Sequence, residues 1–240
     1  MIDGSWYSTN GPAVWGATKP KPIKEMGVAA NSVVEGYEYQ AQEVLRSISV
    51  STIGRLLISL INASRRTLTI IPVGVNLFSD TKAVPVSCSV DRCANVLTDS
   101  VIWFDPTPWG TSMTAKIDPR KNMMPNDVLF HEMIHSLRQM RGLFKPARTG
   151  DVFQYVEEYY AVLFTNMFVT EIGRPGSRRA DHALTFTPLP AGVSDLDFYL
   201  MHKKEVDDLV YEMPDFCKAL GGNRGIIPWN PMWCATQVRF

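Results

Sequence analysis

Residues 125–142 read PNDVLFHEMIHSLRQMRG, and this stretch predicts the helix around which the fold is built. Pro125 stands just ahead of the predicted helix, and Gly142 stands where a helix can end. Asn126 or Asp127 can cap the first turn. Apolar residues occur almost all the way round such a helix, so we expect it to lie at the centre of the core.

The middle of this helix carries an H-E-x-x-H motif, formed by His131, Glu132 and His135. Positions i and i+4 share one helix face, so the two imidazoles can reach one metal ion together. Glu132 is rotated by about 100° and can take a proton from a water molecule on that ion. Two satisfied core histidines are the alternative, but buried polar groups in an apolar helix are costly without partners. The motif therefore predicts a Zn²⁺ site with Glu132 as general base.

A catalytic zinc site needs a third protein ligand, and the sequence leaves its identity open between two residues. The metzincin extension is absent, because Arg138 and Arg141 occupy the places of its glycine and third histidine. The next predicted helix carries Glu157 and Glu158. We prefer Glu158, since its E-x-x-A pattern resembles the ligand helix of gluzincins, and keep Glu157 as the runner-up. A solvated pair of glutamates is the alternative reading.

The remaining patterns predict an α+β fold, mostly helical, with a small sheet beside the active-site helix. We expect an extended lead-in over residues 1–30 and a single metallopeptidase domain over residues 31–240. The expected helices are 33–47, 51–62, 126–141, 151–172 and 203–220, the last broken at Pro214. The expected strands are 67–71 and 100–104. The expected irregular segments are 74–98, which includes one short strand, 105–124 and 173–200. The Pro- and Trp-rich tail should pack back over the core.

Composition excludes several classes of protein. The 240 residues are 45% hydrophobic and carry 24 basic and 24 acidic side chains, so neither disorder nor nucleic-acid binding is indicated. The best candidate for a membrane span, residues 53–61, is short and interrupted by Arg55, whereas a span takes about 20 apolar residues. The N-terminus lacks the pattern of a secretory signal peptide. The four cysteines, at positions 88, 93, 217 and 234, suit either two short disulfide loops or four reduced thiols.

The segments NDVLFHEMIHSLRQMRG and VEEYYAVLFTNMFVTEIGRPGSRRADH resemble the NleD-like effector metallopeptidases of bacteria. The chain is also similar to the metallopeptidase domains of VgrG and Rhs proteins of type VI secretion, over roughly residues 48–185. The resemblance implies a zinc peptidase toxin delivered into the periplasm or cytoplasm of a target cell without a cleaved signal peptide. Its partners would be a protein or peptide substrate and a cognate immunity protein or secretion carrier. It implies structural or supporting parts for Asn166, Glu171, Arg179 and His182, with Glu171 a remote ligand candidate.

Peptide hydrolysis also needs a group that stabilises the oxyanion. The candidates are Arg178, Arg179, His182, Tyr160 and Tyr199, of which we choose Arg179 and His182. Two other functions compete with peptide hydrolysis. One is a non-catalytic module whose zinc is closed by four protein ligands, with His182 or a second glutamate as the fourth. The other is a zinc hydrolase acting on a cell-wall peptide.

Overall fold

The computed structural model describes residues 13–15, 36–72, 81–88, 93–106, 123–148, 153, 155–182 and 187–237. These residues form an α+β fold that is mostly helical with a small sheet, as the sequence predicts. The strands are β1 (Ala13–Trp15), β2 (Leu68–Pro72), β3 (Lys82–Pro85) and β4 (Ser100–Phe104). The helices are α1 (Tyr37–Ser49), α2 (Thr52–Ala63), α3 (Pro125–Met140), α4 (Val156–Glu171), α5 (Asp195–Met201), α6 (Lys203–Glu212), α7 (Pro214–Gly221) and α8 (Pro231–Gln237), with a 3-10 turn at Pro175–Ser177.

The sheet has the order β1-β2-β4-β3. Its central strands β2 and β4 run parallel, with Leu68 opposite Ser100, whereas β1 and β3 pair antiparallel at the two edges. Every residue of β2 and β4 is buried, which explains why both predicted strands are apolar runs without alternation. Strand β1 lies inside the predicted lead-in and is paired with β2.

Helix α3 lies against both the sheet and α4. The Ser100 hydroxyl on β4 lies 2.9 Å from the Ser136 hydroxyl and 2.8 Å from Gln139 Oε1, so a buried polar contact fixes the helix on the strand. On the opposite face, the rings of Phe130 and Phe168 stack with centroids 4.5 Å apart. The helix is buried almost all round, which matches its expected central position.

The helix ends show how polar side chains replace missing backbone partners. Ser51 caps α2 by accepting a hydrogen bond of 2.9 Å from the Gly54 N–H. Helix α3 starts earlier than expected, at Pro125, because Met124 takes the cap position and donates its N–H to Asp127 Oδ2 at 2.8 Å. Asp127 therefore acts from inside the first turn, and the prediction that it or Asn126 precedes the helix was wrong.

The C-terminal third contains more helix than its sequence pattern predicts. Helix α5 lies almost wholly in a segment that we expected to be irregular, and α8 lies in the tail, where no helix was predicted. The expected helix 203–220 is two helices that meet at Met213. The tail does pack back, since α8 contacts α5, α6 and α7. Helix α4 starts at Val156 and not near Asp151, because Tyr155 is extended. Residues 33–35 of the first predicted helix and 107–122 of a predicted loop lie outside the described residues.

The cysteines divide into two kinds. Cys88 and Cys93 form a disulfide with Cα atoms 5.5 Å apart, whereas Cys217 and Cys234 are buried free thiols. One of the two expected disulfide loops is therefore present and the other is not. Within the described residues, no single helix is long and apolar enough to cross a membrane, and only α1 and α2 taken together, bent by 114°, would reach that length and composition.

Candidate metal centre

Helix α3 places His131 and His135 on one face, one turn apart. Their Nε2 atoms are 3.1 Å apart and their ring centroids are 4.8 Å apart at a steep angle. Both side chains are buried inside a helix with apolar neighbours. The two imidazoles therefore point their Nε2 atoms at one common position, which is the arrangement that the i and i+4 spacing predicts.

Helix α4 brings Glu158 to the same position. Its Oε2 atom lies 3.1 Å from His131 Nε2 and 3.3 Å from His135 Nε2. A tetrahedral zinc ion with ligand distances of about 2.1 Å separates its ligand atoms by about 3.4 Å. The triangle formed by these three atoms is close to that size, so the donor set fits a metal ion with little rearrangement.

His182 approaches the same carboxylate from a segment that follows the 3-10 turn. Its Nε2 atom lies 3.1 Å from Glu158 Oε2, and its ring stacks on the His131 ring at 5.3 Å. The ligand atoms of His131, Glu158 and His182 all lie within 4.8 Å of one another, so these three residues could hold a metal ion. Glu158 Oε2 is thus surrounded by three imidazole nitrogens, and we call these four residues the histidine cluster.

The electrostatics of the histidine cluster favour a cation at its centre. Burial raises the pKa of Glu158, but the neighbouring His135 and the hydrogen bonds from the histidines outweigh it and hold the pKa well below its usual range. Burial lowers the pKa of His131 to about 3. Burial also opposes a charge on His135, yet Glu158 and Glu157 raise its pKa well above the usual value. The cluster therefore retains positive charge, in the form of a proton, beside its carboxylate.

Glu132 lies beside the histidine cluster and is held by the edge of the sheet. The backbone N–H of Ala83, on β3, donates a hydrogen bond of 2.7 Å to Glu132 Oε2. Burial raises the pKa of Glu132 to about 7, while His135 and the Ala83 N–H act in the opposite direction. A carboxylate with a pKa near neutrality suits a group that both accepts and returns a proton. Sequence reasoning missed Ala83, because a backbone donor leaves no mark in residue type.

Glu157, the runner-up ligand, points away from the centre of the histidine cluster. Its two oxygens accept hydrogen bonds of 3.0 and 2.9 Å from Arg138 Nε, a side chain that is itself fully buried. Burial would raise the pKa of Glu157, but Arg138 outweighs it and lowers the pKa below the usual value. Of the two adjacent glutamates, Glu158 therefore faces the histidines and Glu157 is bound in an ion pair.

The side chains considered as oxyanion donors lie in different surroundings. The Arg178 guanidinium lies over the Trp229 ring, the Tyr160 ring lies under Arg138, and the Tyr199 hydroxyl bonds Asp207, so each of these three side chains is engaged with another partner. Arg179 is buried, and burial lowers its pKa although Asp181 and Glu158 act against this shift. Its guanidinium is therefore within electrostatic reach of the cluster.

The remaining expected supporting residues hold the scaffold. The Asn166 side chain bonds both the N–H and the C=O of Arg179, at 2.7 and 2.8 Å, and so anchors to α4 the segment that leads to His182. Glu171 accepts the N–H groups of Thr52 and Ile53 at the start of α2. Glu171 therefore caps a helix and is not placed as a ligand.

No protein-family model, curated protein or solved structure matches this chain. The interpretation of the site therefore rests on its own geometry: three imidazoles around one carboxylate, with a second carboxylate beside them.

Proposed function

We propose that this chain is a zinc-dependent metallopeptidase with a zincin-like fold, in which His131, His135 and Glu158 bind the ion. The observation that carries the proposal is the position of Glu158 Oε2, within 3.1–3.3 Å of Nε2 of both histidines of the H-E-x-x-H motif. Three donor atoms from two helices converge at the spacing that a tetrahedral ion requires. The Glu132 carboxylate stands next to them, as general-base chemistry requires.

When bound, a zinc ion would polarise the peptide carbonyl and acidify a water molecule. Glu132 would take the proton of that water on the carboxylate oxygen that Ala83 does not engage, and would then give it to the leaving amine. The Ala83 N–H keeps the carboxylate in place during both transfers. His182, whose side chain is about one-third exposed, would donate to the oxyanion, with Arg179 adding positive charge behind it.

We further propose that the enzyme is a bacterial effector toxin, as the resemblance to NleD-like and type VI effectors implies. Its substrate would be a protein or peptide of the target cell. The Cys88–Cys93 disulfide supports an oxidising compartment on the route or at the destination, because such bonds persist there and are rare in reducing cytosol.

The test is a comparison of the wild type with Glu132→Gln, each expressed in cytoplasm and periplasm with growth recorded. Glutamine can still accept the Ala83 N–H, so the fold and zinc content should be unchanged. Loss of a general base should lower hydrolysis of the target, and hence toxicity, by about 100- to 10,000-fold. Zinc content of each purified protein is measured by atomic absorption.

The matched control is Glu43→Gln, on an exposed ion pair of α1 far from the motif in sequence. It should be as toxic as the wild type. Equal toxicity of wild type and Glu132→Gln, at equal protein levels, would contradict the peptidase proposal.

A second function, a zinc-stabilised binding module, is favoured by one observation. His182 Nε2 lies as close to Glu158 Oε2 as His131 Nε2 does, so it could close the site as a fourth ligand. X-ray absorption of the zinc-loaded protein distinguishes the cases, since three imidazoles indicate a closed structural site and two indicate an open one. His182→Ala should then lower zinc affinity strongly only in the closed case.

A further inference from the structure

A second set of charged side chains lies on the far side of His135 from Glu158, with Arg138 and Glu157 buried and Glu212 largely so. Arg138 Nε bonds Glu157, while its Nη2 atom bonds Glu212 Oε2 at 2.9 Å and the Leu143 carbonyl at 2.6 Å. Glu212 also pairs with Lys145. We call Arg138, Glu157 and Glu212 the arginine cluster. The Glu157 carboxylate is held in place, because the guanidinium that binds it is itself bound by Glu212 and by the Leu143 carbonyl.

The arginine cluster meets the histidine cluster at His135. Glu157 Oε2 lies 3.8 Å from His135 Nδ1, just beyond hydrogen-bond distance. That Nδ1 atom is buried and has no hydrogen-bond partner in the described part of the chain. An approach of less than about 1 Å would give the pair an ordinary hydrogen bond.

The remaining bonds of Glu157 leave room for this contact. Its Oε1 atom accepts from Arg138 Nε and from the Lys145 N–H at 2.6 Å, whereas Oε2 accepts a single hydrogen bond within the described residues, from Arg138 Nε. A carboxylate oxygen has two acceptor positions. The second position of Oε2 is therefore the one that His135 Nδ1–H can use.

We propose that Glu157 is a positioning residue that keeps the proton of His135 on Nδ1, so that the Nε2 lone pair faces the ion. Arg138 holds Glu157 in place for this role. The inference rests on the proposed metal site and deepens it. Glu157, the runner-up ligand, would bind the ligand His135 and would not bind the metal itself. Carboxylates that accept from the outer nitrogen of a metal-bound histidine typically change metal affinity by about 10- to 100-fold.

The experiment measures Zn²⁺ affinity, by competition with a chelator, for the wild type, Glu157→Gln and Glu212→Gln. Both substitutions remove one carboxylate from Arg138, but only Glu157→Gln changes the neighbour of His135. We expect about a 10- to 100-fold loss of affinity for Glu157→Gln and less than about a 3-fold loss for Glu212→Gln, which lies outside the shell of the histidines. Equal losses in the two variants, or no loss in Glu157→Gln, would overturn the proposal.

A spectroscopic measurement keeps the inference testable if a variant does not fold. In the zinc-loaded, ¹⁵N-labelled wild type, the His135 Nδ1 proton should be shifted downfield and protected from exchange with water. A rapidly exchanging Nδ1 proton in the wild type would by itself overturn the role of Glu157. If the wild type fails to bind Zn²⁺ at all, the proposed function fails first, so the two failures are distinguishable.

Discussion

Glu157 and Glu158 are neighbours in the chain and yet belong to opposite kinds of site. Glu157 is 2% exposed and is neutralised permanently by a fully buried arginine. Glu158 is 22% exposed and is surrounded by histidines, whose charge depends on pH and on what they bind. One helical step of about 100° separates an ion pair from a cluster that could hold a cation.

Whether a buried carboxylate can serve binding depends on the partners that surround it. A carboxylate whose partner is a fixed cation is already neutralised, whereas the charge on one surrounded by histidines is balanced by a proton or by a bound cation. We therefore expect the arginine cluster to stabilise the fold and the histidine cluster to serve binding. Each of the substitutions that follow changes one of these two clusters or a residue close to one of them.

The largest effect should come from Arg138→Met, which leaves Glu157 buried without its cation and leaves Glu212 paired with Lys145 alone. Breaking a buried pair in this way costs about 3–5 kcal/mol of unfolding free energy. Urea denaturation of the metal-free protein measures it. Lys204→Met, which breaks an exposed pair with Asp208, is the control and should show no measurable change. A similar, small effect of both substitutions would mean that the arginine cluster is not structural.

Glu158→Ala should act on binding and not on folding. We expect Zn²⁺ affinity to fall by more than about 100-fold, because a direct ligand matters more than an outer-shell partner. In the wild type, Zn²⁺ at 100 times its dissociation constant should add about 2.7 kcal/mol to the unfolding free energy, and this gain should vanish in the variant. An unchanged gain would remove Glu158 from the metal site.

Asn166→Ala should have an intermediate effect, because it leaves the buried N–H and C=O of Arg179 without partners. The expected loss is about 1–3 kcal/mol of unfolding free energy, measured by urea denaturation. Thr165→Val is the matched control on the same helix, since Thr165 bonds only the Ala161 carbonyl within α4. If Asn166→Ala costs no more than the control, the anchor of the His182 segment lies elsewhere.

The smallest effect concerns chemical access. Burial raises the pKa of the Cys217 thiol, which lies near Arg138 and Glu212, to about 12. At pH 8 its thiolate fraction should therefore be roughly 1,000-fold below that of a free cysteine. In a Cys234→Ser background, iodoacetamide should leave native Cys217 unmodified, and Arg138→Met should speed the reaction. Rapid alkylation of native Cys217 would show that water and reagent reach the interior around the arginine cluster.

His182, about one-third exposed, should react readily with diethylpyrocarbonate.

The parts of the fold that could be predicted are those whose signal is local. Strand β4 matches its predicted range, and α3 carries the motif on a buried face. The helices that were missed, α5 and α8, are seven residues each. Helices this short are marginal by propensity and are stabilised by packing, which a local pattern does not reveal.

The candidate site was predictable to a similar degree. The spacing of His131 and His135 predicts a shared helix face, and the next predicted helix offered two candidate carboxylates for the third ligand. The choice between Glu157 and Glu158 depends on how α4 is rotated against α3, which the sequence leaves open. The position of Ala83 was not predictable at all, because its contribution is a backbone N–H on an edge strand.

By itself, the sequence determined that two imidazoles and a glutamate share a buried helix, and that such a helix needs a cation or other partners. The tertiary structure decided which of two adjacent glutamates meets them, brought His182 from a segment 47 residues beyond His135 in the numbering, and gave the other glutamate to Arg138. The physical reason is that helical period sets which residues share a face, whereas only the packing of one helix on another sets what that face meets.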